Sequence, residues 1–167
     1  MPIHKDQRVG VFVDVSNMYY SAKHLYSAKV DFGKVLSAAT SGRKLIRAFA
    51  YAIKADVGSE KEFFEALDKR GFEVRTKDLQ VFYGGAKKGD WDVGMSMDAI
   101  RLAEKVDVVV LVTGDGDFSA LCDYLKNNKG CRVEVVGFGR TTSSLLINAC
   151  DDFYNLEEKP DAFLIRS

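Results

Sequence analysis

Residues Val106 to Val112 read VDVVVLV, and Arg8 to Val13 read RVGVFV. A strand that is apolar at consecutive positions, rather than at alternate ones, has to be covered on both faces, and helices packed above and below a parallel sheet provide that cover. Helical spacing of apolar residues is found at Met18–Ala28, Phe32–Ala39, Glu60–Lys69, Phe118–Asn128 and Thr141–Ala149. Ser16 or Asn17, Asp31 and Ser59 are the expected N-caps of the first three, and Gly71 the stop of the third. Lys44–Ile53, Phe72–Arg75 and Cys131–Val136 read as further strands, and Gly84–Asp90 (GGAKKGD) as a polar loop. Strands that alternate with helices are joined by crossovers, so the expected class is α/β, a three-layer α/β/α domain around a central, mostly parallel sheet. In such sheets ligands bind beyond the carboxyl ends of the strands.

The segment Asp90–Leu102, DWDVGMSMDAIRL, fits two periods. Trp91, Val93, Met95 and Met97 alternate as in a strand, whereas Val93, Met97, Ile100 and Ala103 recur as on a helix. The helix is the expectation adopted here. At about 100° per residue, Asp92 and Asp98 then lie about 120° apart around the axis and cannot both face one small site.

Oxygen donors collect where the apolar strands stop. Asp14 and Asn17 follow the first strand in DVSN, Thr113, Asp115 and Asp117 follow the second in TGDGD, and Asp92 and Asp98 lie in DVGMSMD. Carboxylates forced close together in a cleft must take up protons or share a cation. With no His or Cys in these motifs, the cation expected is hard Mg²⁺ or Mn²⁺. Such an ion can orient a phosphodiester and acidify a water to attack it. Each residue also has a plainer role open to it: Asp14, Ser16 or Asn17 as a cap, Asp117 as the cap of the helix after it, Asp92 as a first-turn acid, Asp98 as the i, i+3 partner of Arg101. Lys87, Lys88 and Arg140 are candidate phosphate contacts. Tyr19, Tyr20 and Tyr83 are able to stack on bases or to fill a core.

The stretches VFVDVSNMYY from Val11, KGDWDVGMSMDAIRLA from Lys88, VLVTGDGDFSAL from Val110 and VEVVGFGRTTSSLLINACDDFYNL from Val133 resemble, in that order, the NYN domain family in the LabA-like branch of the PIN-like nucleases. The resemblance runs from about Arg8 to Leu156, and implies one NYN domain over residues 1–167 with a PIN-like fold. It further implies a metal-dependent ribonuclease that hydrolyses RNA phosphodiester bonds. By position, Asp14, Asn17, Asp92, Asp115 and Asp117 match the family's acidic pattern, with Asp98 and Thr113 in support. Asp14, Asp92, Asp115 and Asp117 are then the expected metal ligands, and Lys88 and Arg140 the expected substrate contacts. The alternative is a regulatory module that binds RNA or protein through the same fold without cutting.

Composition bounds the rest. Twenty-four basic and 24 acidic residues cancel, so attraction to RNA has to be local. Three cysteines without C-x-x-C spacing suit buried thiols in a reducing compartment, and the start MPIHKDQRVG has no apolar run, which together point to the cytoplasm and away from a membrane. A homodimer is compatible with a small sheet domain bearing aromatic helices. Asp14-Val15-Ser16-Asn17 also resembles the metal-adhesion motif of von Willebrand factor A domains, with Asn17 in place of the last serine. No G-x-G-x-x-G follows the first strand, which argues against a dinucleotide site, and His4 and His24 are the only histidines, neither placed for serine hydrolysis.

Overall fold

In a computed structural model the chain is described at residues 4–54, 60–78, 80–81, 87–88 and 90–166, the last two short pairs in backbone alone. Strands β1 (Arg8–Asp14), β3 (Lys44–Lys54), β4 (Glu73–Asp78), β7 (Val108–Val112), β8 (Arg132–Gly137) and β9 (Asp152–Asn155) form the central sheet, in the order β4-β3-β1-β7-β8-β9. Every neighbouring pair in it is parallel. Two small antiparallel pairs lie outside it: β2 (Lys29–Val30) with β10 (Leu164–Ile165), and β5 (Gln80–Val81) with β6 (Lys87–Lys88).

Among the described residues six helices complete the layers: α1 (Val15–Tyr26), α2 (Phe32–Thr40), α3 (Glu60–Lys69), α4 (Asp92–Leu102), α5 (Ser119–Asn128) and α6 (Ser144–Ala149). The period of two along β1 decides which helices cover which face. Val9, Val11 and Val13 join Met18, Val35 and Leu67 of α1–α3, while Phe12 joins Met95, Leu125 and Leu146 of α4–α6. All five residues of β7 are fully buried, as its unbroken apolar run requires.

From β1 the chain builds outward through β3 and β4, then returns to the other side of β1 with β7 and continues to β8 and β9. The boundary between β1 and β7 is therefore the topological switch point, where the crossovers diverge and leave a crevice at the carboxyl ends.

Several local expectations are corrected. Helix α1 starts at Val15, not Met18, because Asp14 itself caps it, accepting from the Asn17 amide at 3.3 Å. The turn before α5 is a short 3₁₀ segment, Gly116–Phe118, capped by Asp115 rather than Asp117. A similar turn at Gly139–Thr141 precedes α6, which Ser143 caps, so this helix is shorter than the apolar pattern alone indicates. Lys87 and Lys88, expected in a loop, are paired as β6. The Asp90–Leu102 segment is a helix, but its buried face is Met95, Ala99 and Leu102; Val93 and Met97 are 76% and 44% exposed. Strand β9 was not anticipated, since DFYN is short and half-buried at alternate positions. Ser59 and Tyr83 lie outside the described residues. The three cysteines are free, two buried and Cys150 partly so. No helix among the described residues is long and apolar enough to cross a membrane.

One buried ionic group was invisible in the sequence. Arg43, just before β3, directs all five of its N–H groups at acceptors: Glu134 through two bonds of 2.8 and 3.0 Å, the carbonyls of Ala39 and Thr40, and the Gln7 side chain. Burial alone would raise the Glu134 carboxyl, yet the bonds from Arg43 and Arg132 outweigh it and hold the group below its usual range. Removing one partner of such a pair strands the other, at a cost of about 3–5 kcal/mol, whereas an exposed pair is worth about 0–1 kcal/mol. Arg43→Ala is accordingly expected to lower unfolding free energy by about 3 kcal/mol in a urea titration, and Arg47→Ala, which loses the exposed Glu73 pair and its contact with the Phe49 ring, by less than about 2 kcal/mol.

Candidate functional site

Val13 of β1 pairs in register with Val112 of β7, so the residues that follow, Asp14 and Thr113, leave the sheet side by side. Thr113 is fully buried and its hydroxyl bridges two motifs, donating to Asp14 Oδ2 and accepting from the Asp115 amide, each at 3.1 Å. Its own amide donates to the Val136 carbonyl of β8. Asn17, in the first turn of α1, accepts from the Gly114 amide at 2.8 Å and clamps the TGDGD turn against the helix. Gly114 has to be glycine because a Cβ there would run into the Thr141 carbonyl oxygen. Its φ is not positive, so the need is for close approach and not for the tight-turn conformation that GDG suggests.

The third acid comes from elsewhere. Trp91 donates from its indole nitrogen to the Ala52 carbonyl at 3.0 Å, seating the start of α4 over the end of β3 and bringing in Asp92 from the first helical turn. Asp90 accepts from the Asp92 amide at 3.1 Å. One carboxylate oxygen from each of Asp14, Asp92 and Asp115 then lies within 4.8 Å of the other two. They line a cleft of about 490 Å³ whose walls include Asn17, Tyr20, Ser21 and His24 of α1, with Asp90, Trp91, Ile53 and Thr141.

The electrostatics are those of crowded acids. Asp14 is pushed up to about 6, chiefly by burial, with Asp115 and Asp90 adding to the rise and the bonds from Asn17 and Thr113 opposing it. Asp92 is pushed up to about 7, again by burial first, and then by the charges of Asp115, Asp90, Asp14 and Asp117. Asp14 and Asp92 thus resist carrying full charge beside Asp115, and a hard divalent cation among the three oxygen donors would relieve the repulsion.

Not every expected residue joins them. Asp117 is outside this trio and acts on it through charge. Asp98 points away, as its angle on the helix requires: it accepts from Tyr51 at 2.8 Å and pairs with Arg75 and Arg101. Arg140 is taken up by Glu157, with bonds of 2.7 and 2.8 Å, and lies over the Tyr26 ring, so it is a structural tie and not a cleft residue. Lys88 is described in backbone only. Asp90, His24 and Trp91 were overlooked as cleft residues. Asp90 stands two before Asp92, and His24 shares with Asn17, Tyr20 and Ser21 the i, i+3, i+4, i+7 spacing of one helix face, a signal that the sequence does carry.

The sequence model of the NYN domain matches residues 8–157. The chain belongs to the NYN domain family. Among its relatives, the Low amplitude and bright protein LabA of Synechococcus elongatus is 28% identical over 162 residues, 92% of this chain and 86% of LabA. A protein of unknown function from Vibrio parahaemolyticus, solved by crystallography, superposes with a TM-score of 0.86 at 37% identity, covering 99% of this chain and 100% of its own. The fold of this NYN-domain chain is thus shared with that solved structure.

A carboxyl whose folded pKa lies above its unfolded value weighs against the fold once it ionises, so the metal-free domain loses stability as pH climbs from about 4 through 7. Asp92→Asn removes that charge. In chelator the variant is expected to melt above the parent at pH 8, with an offset that shrinks steadily and closes at about pH 4; an equal offset across that range would mean that packing, not charge, is responsible.

Proposed function

We propose that this NYN domain is a metal-dependent ribonuclease that hydrolyses RNA phosphodiester bonds at the Asp14–Asp92–Asp115 cluster. The convergence of three carboxylate oxygens from β1, α4 and the β7–α5 turn within 4.8 Å of one another, at the switch point of the sheet, carries this reading. Membership of the family is consistent with it.

Asp14, Asp92 and Asp115 would hold Mg²⁺ or Mn²⁺, since the set is all oxygen and includes neither sulfur nor imidazole. When bound, such an ion would offset most of the trio's negative charge and supply an acidified water for attack on the phosphodiester. The protein's own part is positional. Thr113 fixes the rotamer of Asp14 and the backbone of Asp115 with one hydroxyl, and Asn17 keeps the turn closed. Asp117 and Asp90 add negative charge around the trio without joining it. Asp98 supports the seating of α4 through Tyr51 and Arg75. Lys88 is assigned to a backbone phosphate from its place in the sequence alone.

Outer partners of a metal are commonly worth about 10–100-fold in affinity or activity, so loss of a direct ligand has to exceed that. Labelled RNA incubated with Mn²⁺, Mg²⁺ or chelator is expected to be cut only with metal. Asp14→Asn and Asp115→Asn lower the rate by more than about 100-fold, while Asp98→Asn stays within about tenfold of the parent. RNA binding without metal-stimulated cleavage would replace the enzyme with the regulatory module.

A further inference from the structure

The cleft cannot by itself hold a polyanion. Among its described lining residues are Asp14, Asp90, Asp92 and Asp115, and neither a lysine nor an arginine. A strand of RNA held at the trio has its neighbouring phosphates outside the cleft, and cations are needed there.

One face of the sheet supplies them. Arg47, Phe49, Tyr51 and Ile53 share a face of β3 by the period of two, and Glu73, Arg75 and Lys77 share the corresponding face of β4. Register sets Phe49 beside Glu73, Tyr51 beside Arg75 and Ile53 beside Lys77, so the row runs with the strands toward the cleft, which Ile53 lines. The Arg47 and Arg75 guanidinium groups lie 4.5 and 5.1 Å from the centre of the Phe49 ring, and the Lys77 ammonium 4.5 Å from that of Trp91, itself a cleft wall. Arg101 of α4, 70% exposed, continues the surface from Asp98, and Met97 stands beyond it at 44% exposure. Four cations here face two carboxylates, Glu73 and Asp98, on a chain of zero net charge.

We infer that this β3–β4–α4 face, ending at Lys77 and Trp91, is the track along which single-stranded RNA reaches the acidic trio; the inference rests on the ribonuclease reading for the identity of the strand. Phe49 is buried beneath the two guanidinium groups, so what a strand meets is the arginine planes, Lys77, the partly buried Trp91 and the exposed Met97, a set that suits splayed bases and their phosphates together. A duplex, whose bases are stacked away, could use only the charges. Trp91 is fixed in orientation by its bond to Ala52, so its ring is a preformed edge between track and cleft.

Trp91 is the only tryptophan, which makes its fluorescence a local reporter. The full chain is titrated in chelator, where nothing is cut, with a 12-nucleotide single-stranded RNA. The parent is expected to give a saturable change in Trp91 emission. Lys77→Ala with Arg101→Ala raises Kd about tenfold and lowers the log–log salt slope by about 1.4, or about 0.7 for each cation removed. Lys34→Ala, an exposed site on α2 in the opposite layer, leaves both unchanged. An unaltered Kd in the double variant, or equal weakening by Lys34→Ala, overturns the track. So does duplex RNA that binds as tightly as the single strand, or polyglutamate that binds with the same dependence on Lys77 and Arg101, which would assign the face to an acidic protein. Because no cleavage is read, the expected shifts in a protein that never cuts RNA sustain the track and sink the nuclease, and cutting without the shifts does the reverse.

Discussion

The parallel pairing of β1 with β7 is the constraint on which the cleft depends. Because Val13 and Val112 are partners, the chain has no freedom in where Asp14 and Thr113 emerge, and one hydroxyl suffices to join two motifs 99 residues apart in the sequence. Shift that register by a residue and the side chains exchange faces, sending the hydroxyl into the helical layer. The strands are apolar throughout because both faces are covered; the same burial that holds them in register raises the Asp14 carboxyl at their end. Stability and chemistry are in tension at one residue, and a dication is the simplest way to reconcile them.

Support for the cleft comes from all sides of the switch point. Thr113 reaches β8 through its amide, Gly114 lets the segment before α6 close in, and Asn17 ties the turn to α1. Asn17 can be described without any ligand: its amide oxygen has a backbone partner already. The far end of the sheet is held differently, by Arg43 and Glu134 linking the start of β3 to β8 beneath the strands between them in the order. One end of the sheet therefore carries paired charge and the other unpaired charge, and only the second asks for a ligand.

What could be read in the sequence followed from local physics. Runs such as VDVVVLV announce double-sided burial, Asp31 caps α2 as its position before Phe32 suggests, and the angle between Asp92 and Asp98 on a helix correctly separates them. What could not be read depended on contacts across the chain. Helix α4 buries Met95, Ala99 and Leu102 instead of the equally periodic Val93 and Met97, because Phe12, Phe49 and Tyr51 decide which side meets the sheet. The pairing of Arg140 with Glu157, 17 residues later, has no local signal either. Asp117, matched by position to the acidic pattern, is kept out of the trio by the 3₁₀ turn, in which the Asp117 amide donates to the capping Asp115 carboxylate. His24 reaches the cleft only through the face of α1 that it shares with Asn17, Tyr20 and Ser21, a placement that depends on how the helix sits on the sheet.

Of the three clustered acids, Asp14 and Asp115 are rooted in the sheet through Thr113, whereas Asp92 rides on α4 and is located by the Trp91 indole gripping the Ala52 carbonyl. That asymmetry leaves two supports, the seat of α4 on the sheet for Asp92 and the pairing of the strands for Asp14 and Asp115. Any cation bridging them must tighten the grip, and by thermodynamic reciprocity whatever secures the indole must deepen the ion's hold in equal measure.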